Sequence, residues 1–140
     1  MIAWLRYPGA VVAGFFVTGL LAAGVELLGM IIHPFPEDFG GTPEEVVRHV
    51  EVYPAWGLAV AVVLWGVAAF AGTWTAGRLG GRWCALLLGL LLLAAVILNI
   101  SMLPYPVWFM VASVLLVLAA TALGHRYSSR PATLVASTGE

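Results

Sequence analysis

The sequence contains no lysine, a single cysteine and very few charged side chains, 9% of its 140 residues. Each scarcity excludes something. Six Arg without Lys, scattered along the chain, leave no basic stripe for a nucleic acid. One cysteine, Cys84, permits no internal disulfide and no CxxC metal or redox motif, and its apolar neighbours mark it as packing. The scarcity of charge, against 62% hydrophobic residues and a mean hydropathy of +1.02, excludes the composition of a water-soluble globular domain. The lipid bilayer is the expected solvent.

A helix needs about 20 apolar residues to cross about 30 Å of hydrocarbon. Four stretches meet or approach this, at 9–32, 54–77, 83–103 and 107–123, with an outer loop at 33–53 and a tail at 125–140. The first stretch follows Arg6 as a signal peptide would, but it runs beyond signal-peptide length and stays apolar after Glu26. It is expected to be a retained helix. The short connections 78–82 and 104–106 make the second and third, and the third and fourth, helices neighbours. The expected fold is therefore all-α: an up-down bundle of four transmembrane helices with a short amphipathic surface helix in the first outer loop.

Charge sets the orientation. Loop 33–53 holds Glu37, Asp38, Glu44, Glu45 and Glu51 against Arg48, a formal charge of −4. With alternating spans the other five Arg (Arg6, Arg78, Arg82, Arg126 and Arg130) share the opposite side, which the positive-inside rule makes cytoplasmic. Both termini are then cytoplasmic. Aromatic residues agree with the two interfaces: Trp4, Tyr7, Trp74, Trp83 and Tyr127 lie near the inner one, and Tyr53, Trp56, Tyr105 and Trp108 near the outer. Trp65 alone sits at mid-depth, where its indole N–H needs a polar neighbour. Arg used without Lys points to a GC-rich bacterial genome, and so to a bacterial cytoplasmic (inner) membrane.

Small residues four apart form stripes on which helices approach closely: Gly14, Thr18 and Ala22 on the first span, and Ala68, Gly72 and Ala76 on the second. Glycine also recurs at 9, 14, 19, 24 and 29, but a spacing of five winds around a helix and makes no face. In the outer loop, His33-Pro34-Phe35-Pro36 cannot continue a helix. After Gly40-Gly41, Thr42 is an N-cap, Pro43 takes the first helical position and Glu45 completes a capping box. The spacing predicts a helix to about Glu51, with Val46, Val47 and Val50 on one side, lying on the outer surface or on a partner.

The residue most suggestive of function is Glu26, the only acid or base within the spans. A charge at that depth costs about 3 kcal/mol or more, so it marks a site by default. It lies six residues before Ile32, or about 9 Å beneath the outer end of its helix. Asn99 is at similar depth on the third span, and helical spacing allows the two to hydrogen-bond, with Ser101, Tyr105 or His33 closing the cluster at the rim. Two uses stay open for this cluster: a polar clamp that fixes helix register, or a proton or cation site opening outward. His33, His49, Glu37 and Asp38 are metal-ligand types, but no HxxxH or HExxH spacing unites them, so no metal site is expected. His125, by the inner interface, is expected to be solvated. No catalytic residue and no cofactor is indicated by motif.

The chain resembles a loose group of small, uncharacterised four-helix bacterial membrane proteins. The resemblance rests on Glu26, Pro34-Phe35-Pro36, Tyr53-Pro54, Trp65-Gly66, Ala71-Gly72, Ala76-Gly77-Arg78, Asn99 and the run Leu103-Pro104-Tyr105-Pro106-Val107-Trp108-Phe109. It covers most of the chain except the tail. In that group a His commonly stands between the two prolines before the Trp, where this chain has Tyr105, which weakens any inherited metal or proton role at the rim. The resemblance implies a fold and no activity. Three functions follow as expectations: a non-catalytic accessory subunit that stabilises a larger membrane complex of respiratory or photosynthetic type; a small oligomeric transporter or channel with its site at Glu26 and Asn99; or a quinone- or lipid-binding module, with Trp65 and Trp74 lining a pocket. Expected partners are the lipid bilayer and other membrane subunits, and no nucleic acid.

Overall fold

A computed structural model describes residues 5–128. Five helices follow in order: α1 (Arg6–Ile32), α2 (Pro43–Glu51), α3 (Ala55–Gly80), α4 (Arg82–Met102) and α5 (Val107–Ser128). Four of them, all but α2, are long and apolar enough to span a membrane, and there is no strand among the described residues. Trp4, Arg130 and the tail from residue 129 onward lie outside the described residues.

Three helix ends differ from the sequence expectation, each for a local reason. α1 begins at Arg6 because Pro8 falls in the first turn, where a missing N–H costs nothing. α3 continues to Gly80, leaving one residue, Gly81, to turn the chain. Gly81 has φ 87°, a left-handed conformation that side chains other than glycine rarely adopt, and its N–H closes α3 by donating to the Gly77 carbonyl at 2.8 Å. α5 does not stop at Gly124 but runs to Ser128. Gly124 lies against α3, where an added Cβ would stand 2.9 Å from the Phe70 carbonyl oxygen and 3.0 Å from the Thr73 Cβ. The glycine that reads as a helix stop is there for contact.

α3 is the centre of the assembly, touching α1, α4 and α5. α1 also rests lightly on α4, whereas α1 and α5 do not touch among the described residues. Packing forms two layers. Near the Arg-bearing end, Ala10, Ala69, Ala76, Cys84, Leu88, Leu92 and Val117 pack together, and near the acidic loop Leu58, Val62, Ile100 and Phe109 do so. Cys84 is free and buried within the first layer. Apolar side chains also point outward in number, as with Phe16 at 69% and Met102 at 79% exposed, which suits helices solvated by lipid.

The closest approach is between α1 and α3. A Cβ added at Gly14 would stand 2.6 Å from the Gly72 carbonyl oxygen, 2.6 Å from Leu88 Cδ2 and 2.8 Å from Ala76 Cβ. One added at Gly72 would meet the Thr18 hydroxyl and stand 2.6 Å from the Gly14 carbonyl oxygen. Thr18 donates to the Gly14 carbonyl at 3.0 Å and reaches the Ala68 carbonyl of α3 at 3.4 Å. The two stripes of small residues thus interlock at one crossing. Gly9, Gly19 and Gly24, by contrast, have nothing within 4 Å of an added Cβ among the described residues, so most of the five-residue glycine spacing serves no contact there.

Gly72→Ala is expected to destabilise the protein by about 1–3 kcal/mol, because the obstructing atoms include backbone that cannot swing away. Gly19→Ala is expected to be neutral or stabilising. Thermal unfolding of the full chain in mild detergent reads both. Equal behaviour of the two variants would contradict the crossing.

Candidate functional site

The acidic loop is organised by its own chemistry before it meets the bundle. Thr42 caps α2, its hydroxyl accepting from the Glu45 N–H at 3.4 Å, while the Glu45 carboxylate accepts from the Thr42 and Gly40 N–H groups at 3.0 Å each. These bonds, that from the Thr42 backbone foremost, hold the exposed Glu45 carboxyl below the usual range. α2 then turns Val46, His49 and Val50 toward a cavity of about 430 Å³ at the acidic-loop end of the bundle, the end expected to be outer. On its apolar side Val50 is buried.

Rings hold α2 in place. His33, just past the end of α1, stacks on His49 with centroids 4.2 Å apart, and His49 stacks on Phe35 at 4.4 Å, which stacks on Phe39 at 4.3 Å. Tyr53 meets His33 edge-on at 4.9 Å and donates its hydroxyl to the Gly29 carbonyl of α1 at 3.3 Å. The His33 Nε2 atom is buried with no hydrogen-bond partner. Spacing along the chain gave no sign of the His33–His49 pair, since the two are brought together only when α2 folds back over α1. No group of three or more His, Cys, Asp or Glu among the described residues is placed to hold a metal.

Beneath this cap lie two cavities. The outer one is lined by Glu26, Gly29 and His33 of the α1 side, by Leu58 and Trp65 of α3, and by Tyr105 and Phe109. A second, of about 260 Å³, lies between α1 and α4 on a floor of α3, and is lined by Thr18, Ala22, Glu26, Trp65, Ala95 and Asn99 among others. Glu26 and Trp65 line both. Trp65 also meets Phe109 edge-on at 6.0 Å, and Phe109 lies against Tyr105 at 4.6 Å. The outer cavity alone falls within the roughly 300–1,000 Å³ typical of small-molecule sites.

The sequence-derived cluster is therefore partly assembled. Glu26 and Asn99 share a cavity wall but do not hydrogen-bond, because α1 and α4 touch only lightly and both side chains stay exposed to the space between them. Ser101 is outside the site, its hydroxyl donating to the Leu98 carbonyl of its own helix at 2.8 Å. His33 and Tyr105 do line the outer cavity with Glu26. Burial pushes the Tyr105 phenol up, with Glu26 and Tyr53 adding to it, and burial followed by Glu26 does the same for Tyr53. Both phenols are neutral donors at pH 7. Trp74 lies elsewhere, with the Arg78 guanidinium 5.8 Å above its ring. No protein-family model matches the chain, and neither a curated protein nor a solved structure does.

The stack makes the cap sensitive to pH. Burial lowers the His49 pKa, and the charge of His33 adds to that. The folded cap thus favours neutral imidazole; its stability is full above the ordinary His value and falls as pH drops through the lowered one. Other titratable groups around the ring are Glu26, Tyr53 and Tyr105 in the cavity below, and Asp38, Glu45 and Arg48 in the cleft beside it. The hydrogen-exchange protection of α2, expressed relative to the unfolded chain at the same pH, is expected to fall several-fold between about pH 7 and pH 5. His49→Phe, which keeps the ring and removes the proton, should flatten that response, and an unaltered pH profile in this variant would assign the effect elsewhere.

Proposed function

We propose that this is a non-catalytic multi-pass protein of the bacterial cytoplasmic membrane, an up-down bundle whose outer half binds a lipid-soluble small molecule. The observation that carries this reading is the pair of mainly apolar cavities that share Glu26 and Trp65, one open between α1 and α4 and the other ringed by aromatic side chains beneath α2. A ligand pocket of this class combines an apolar wall with a few converging polar groups, here Glu26, Asn99, His33, Tyr53 and Tyr105. The lateral opening admits a molecule already dissolved in the membrane.

The topology within this reading draws on the helix ends. Arg6 at the start of α1 donates to the Leu79 carbonyl at the end of α3 at 2.7 Å, while Tyr53 before α3 bonds Gly29 near the end of α1. That pairing supports an antiparallel α1 and α3, with Arg6, Arg78 and Arg82 at one end and the acidic loop at the other. Positive charge favours the cytoplasm for the first end, and with it both termini. The likeness to small four-helix bacterial membrane proteins belongs to the same reading.

The full chain, purified in mild detergent, is expected to carry a lipid-soluble molecule in near-stoichiometric amount by native mass spectrometry. Ala95→Trp, which fills the opening between α1 and α4, should release it. Wild-type protein that is empty and binds no added amphiphile would end this reading.

A second reading, that of an accessory subunit, draws support from α1. Only 6% of its most apolar stretch is buried, against 33–39% in the other three long helices. Such a helix is free to lie against another subunit. Cross-linking in native membranes followed by gentle purification is expected to recover one partner in fixed ratio through α1, and a homogeneous lone chain would speak against it.

A further inference from the structure

Among the described residues Glu26 has no countercharge. The sequence has no Lys, and no Arg lines either of the cavities that Glu26 borders. Among the described residues nothing donates a hydrogen bond to its carboxylate, Asn99 and the two nearby phenols included. The surroundings are otherwise aromatic, with Trp65, Tyr105 and Phe109 around the same space. An unpaired carboxylate among aromatic rings is chemically complementary to a cation, which gains Coulomb attraction from the acid and quadrupole attraction from the rings.

We propose that the site takes a lipophilic monovalent organic cation, an ammonium or phosphonium centre held by Glu26 and the rings, with its apolar body in the groove between α1 and α4. This rests on the small-molecule reading above and narrows it to one charge class. The acidic loop over the outer cavity, with a formal charge of −4, raises the local concentration of cations. It also selects against a zwitterionic phospholipid head, whose phosphate lies only a few bonds from its amine and would be carried in among the acids. A cation without a phosphate fits both the pocket and its rim.

Equilibrium binding to the full chain in detergent tests this with tetraphenylphosphonium and its neutral analogue triphenylphosphine oxide. The cation is expected to bind about tenfold or more tightly than the neutral probe, and Glu26→Gln should erase that preference. Trp65→Ala should weaken the cation several-fold and the neutral probe less. In case Glu26→Gln fails to fold, the wild-type protein supplies an independent readout: tetraphenylphosphonium should slow modification of Glu26 by dicyclohexylcarbodiimide about tenfold, and triphenylphosphine oxide should not. Equal affinity for the two probes, or equal protection by both, overturns the cation inference and leaves the small-molecule reading standing. Binding of neither probe, with the site empty on purification, overturns both. A co-purified phospholipid that Glu26→Gln releases and that tetraphenylphosphonium cannot displace overturns the choice of a phosphate-free cation.

Discussion

Two helix backbones come into close contact where Gly14 crosses Gly72, flanked by the side chains of Thr18, Ala76 and Leu88, and the shape of the rest follows from that contact. Close approach at this point fixes α1 against α3 within the inner layer of the core. Toward the outer end the flanking residues of α1 are Thr18, Ala22 and Glu26, and the space between α1 and α4 is left unfilled. The same smallness that brings the backbones together below leaves room above. With no aqueous hydrophobic force between helices in a bilayer, contact of this kind carries the association.

The outer end is closed by a different physics. α2 is held by local hydrogen bonds at its cap and by ring contacts at His49, and its valines complete the cavity roof. The roof therefore contains titratable imidazoles, whereas the floor contains Trp65 and the helix backbones. Glu26 stands between them, reachable from the loop side and from the lipid side.

How much of this the sequence disclosed depends on the range of the forces involved. The four long helices and the cap of α2 were legible because span length and the Thr42–Glu45 box are local properties. Glu26 was legible because a lone acid in an apolar run has no other ready explanation. The His33–His49 stack was not, since it joins residues 16 apart through a loop whose path is set by Pro34, Pro36 and Gly41 together. A hydrogen bond between Glu26 and Asn99 was expected from depth and helical spacing, and among the described residues the two share a cavity wall without forming it. Gly124 misled because glycine both ends helices and admits neighbours, and only the position of α3 distinguishes the two uses.

The crossing at Gly14 also gives α1 a mechanical character. Glu26 stands twelve residues beyond it, about 18 Å along the axis at 1.5 Å per residue. α1 has no contact with α5 and little with α4, so it is held firmly on one flank only. A tilt about the crossing is opposed past Glu26, where the Gly29 carbonyl accepts from the Tyr53 hydroxyl at 3.3 Å and Ile32 lies against Gly57. The groove is thus framed by a stretch of α1 pinned at both ends, at the Gly14 contact and at Gly29, with the carboxylate between the two pins.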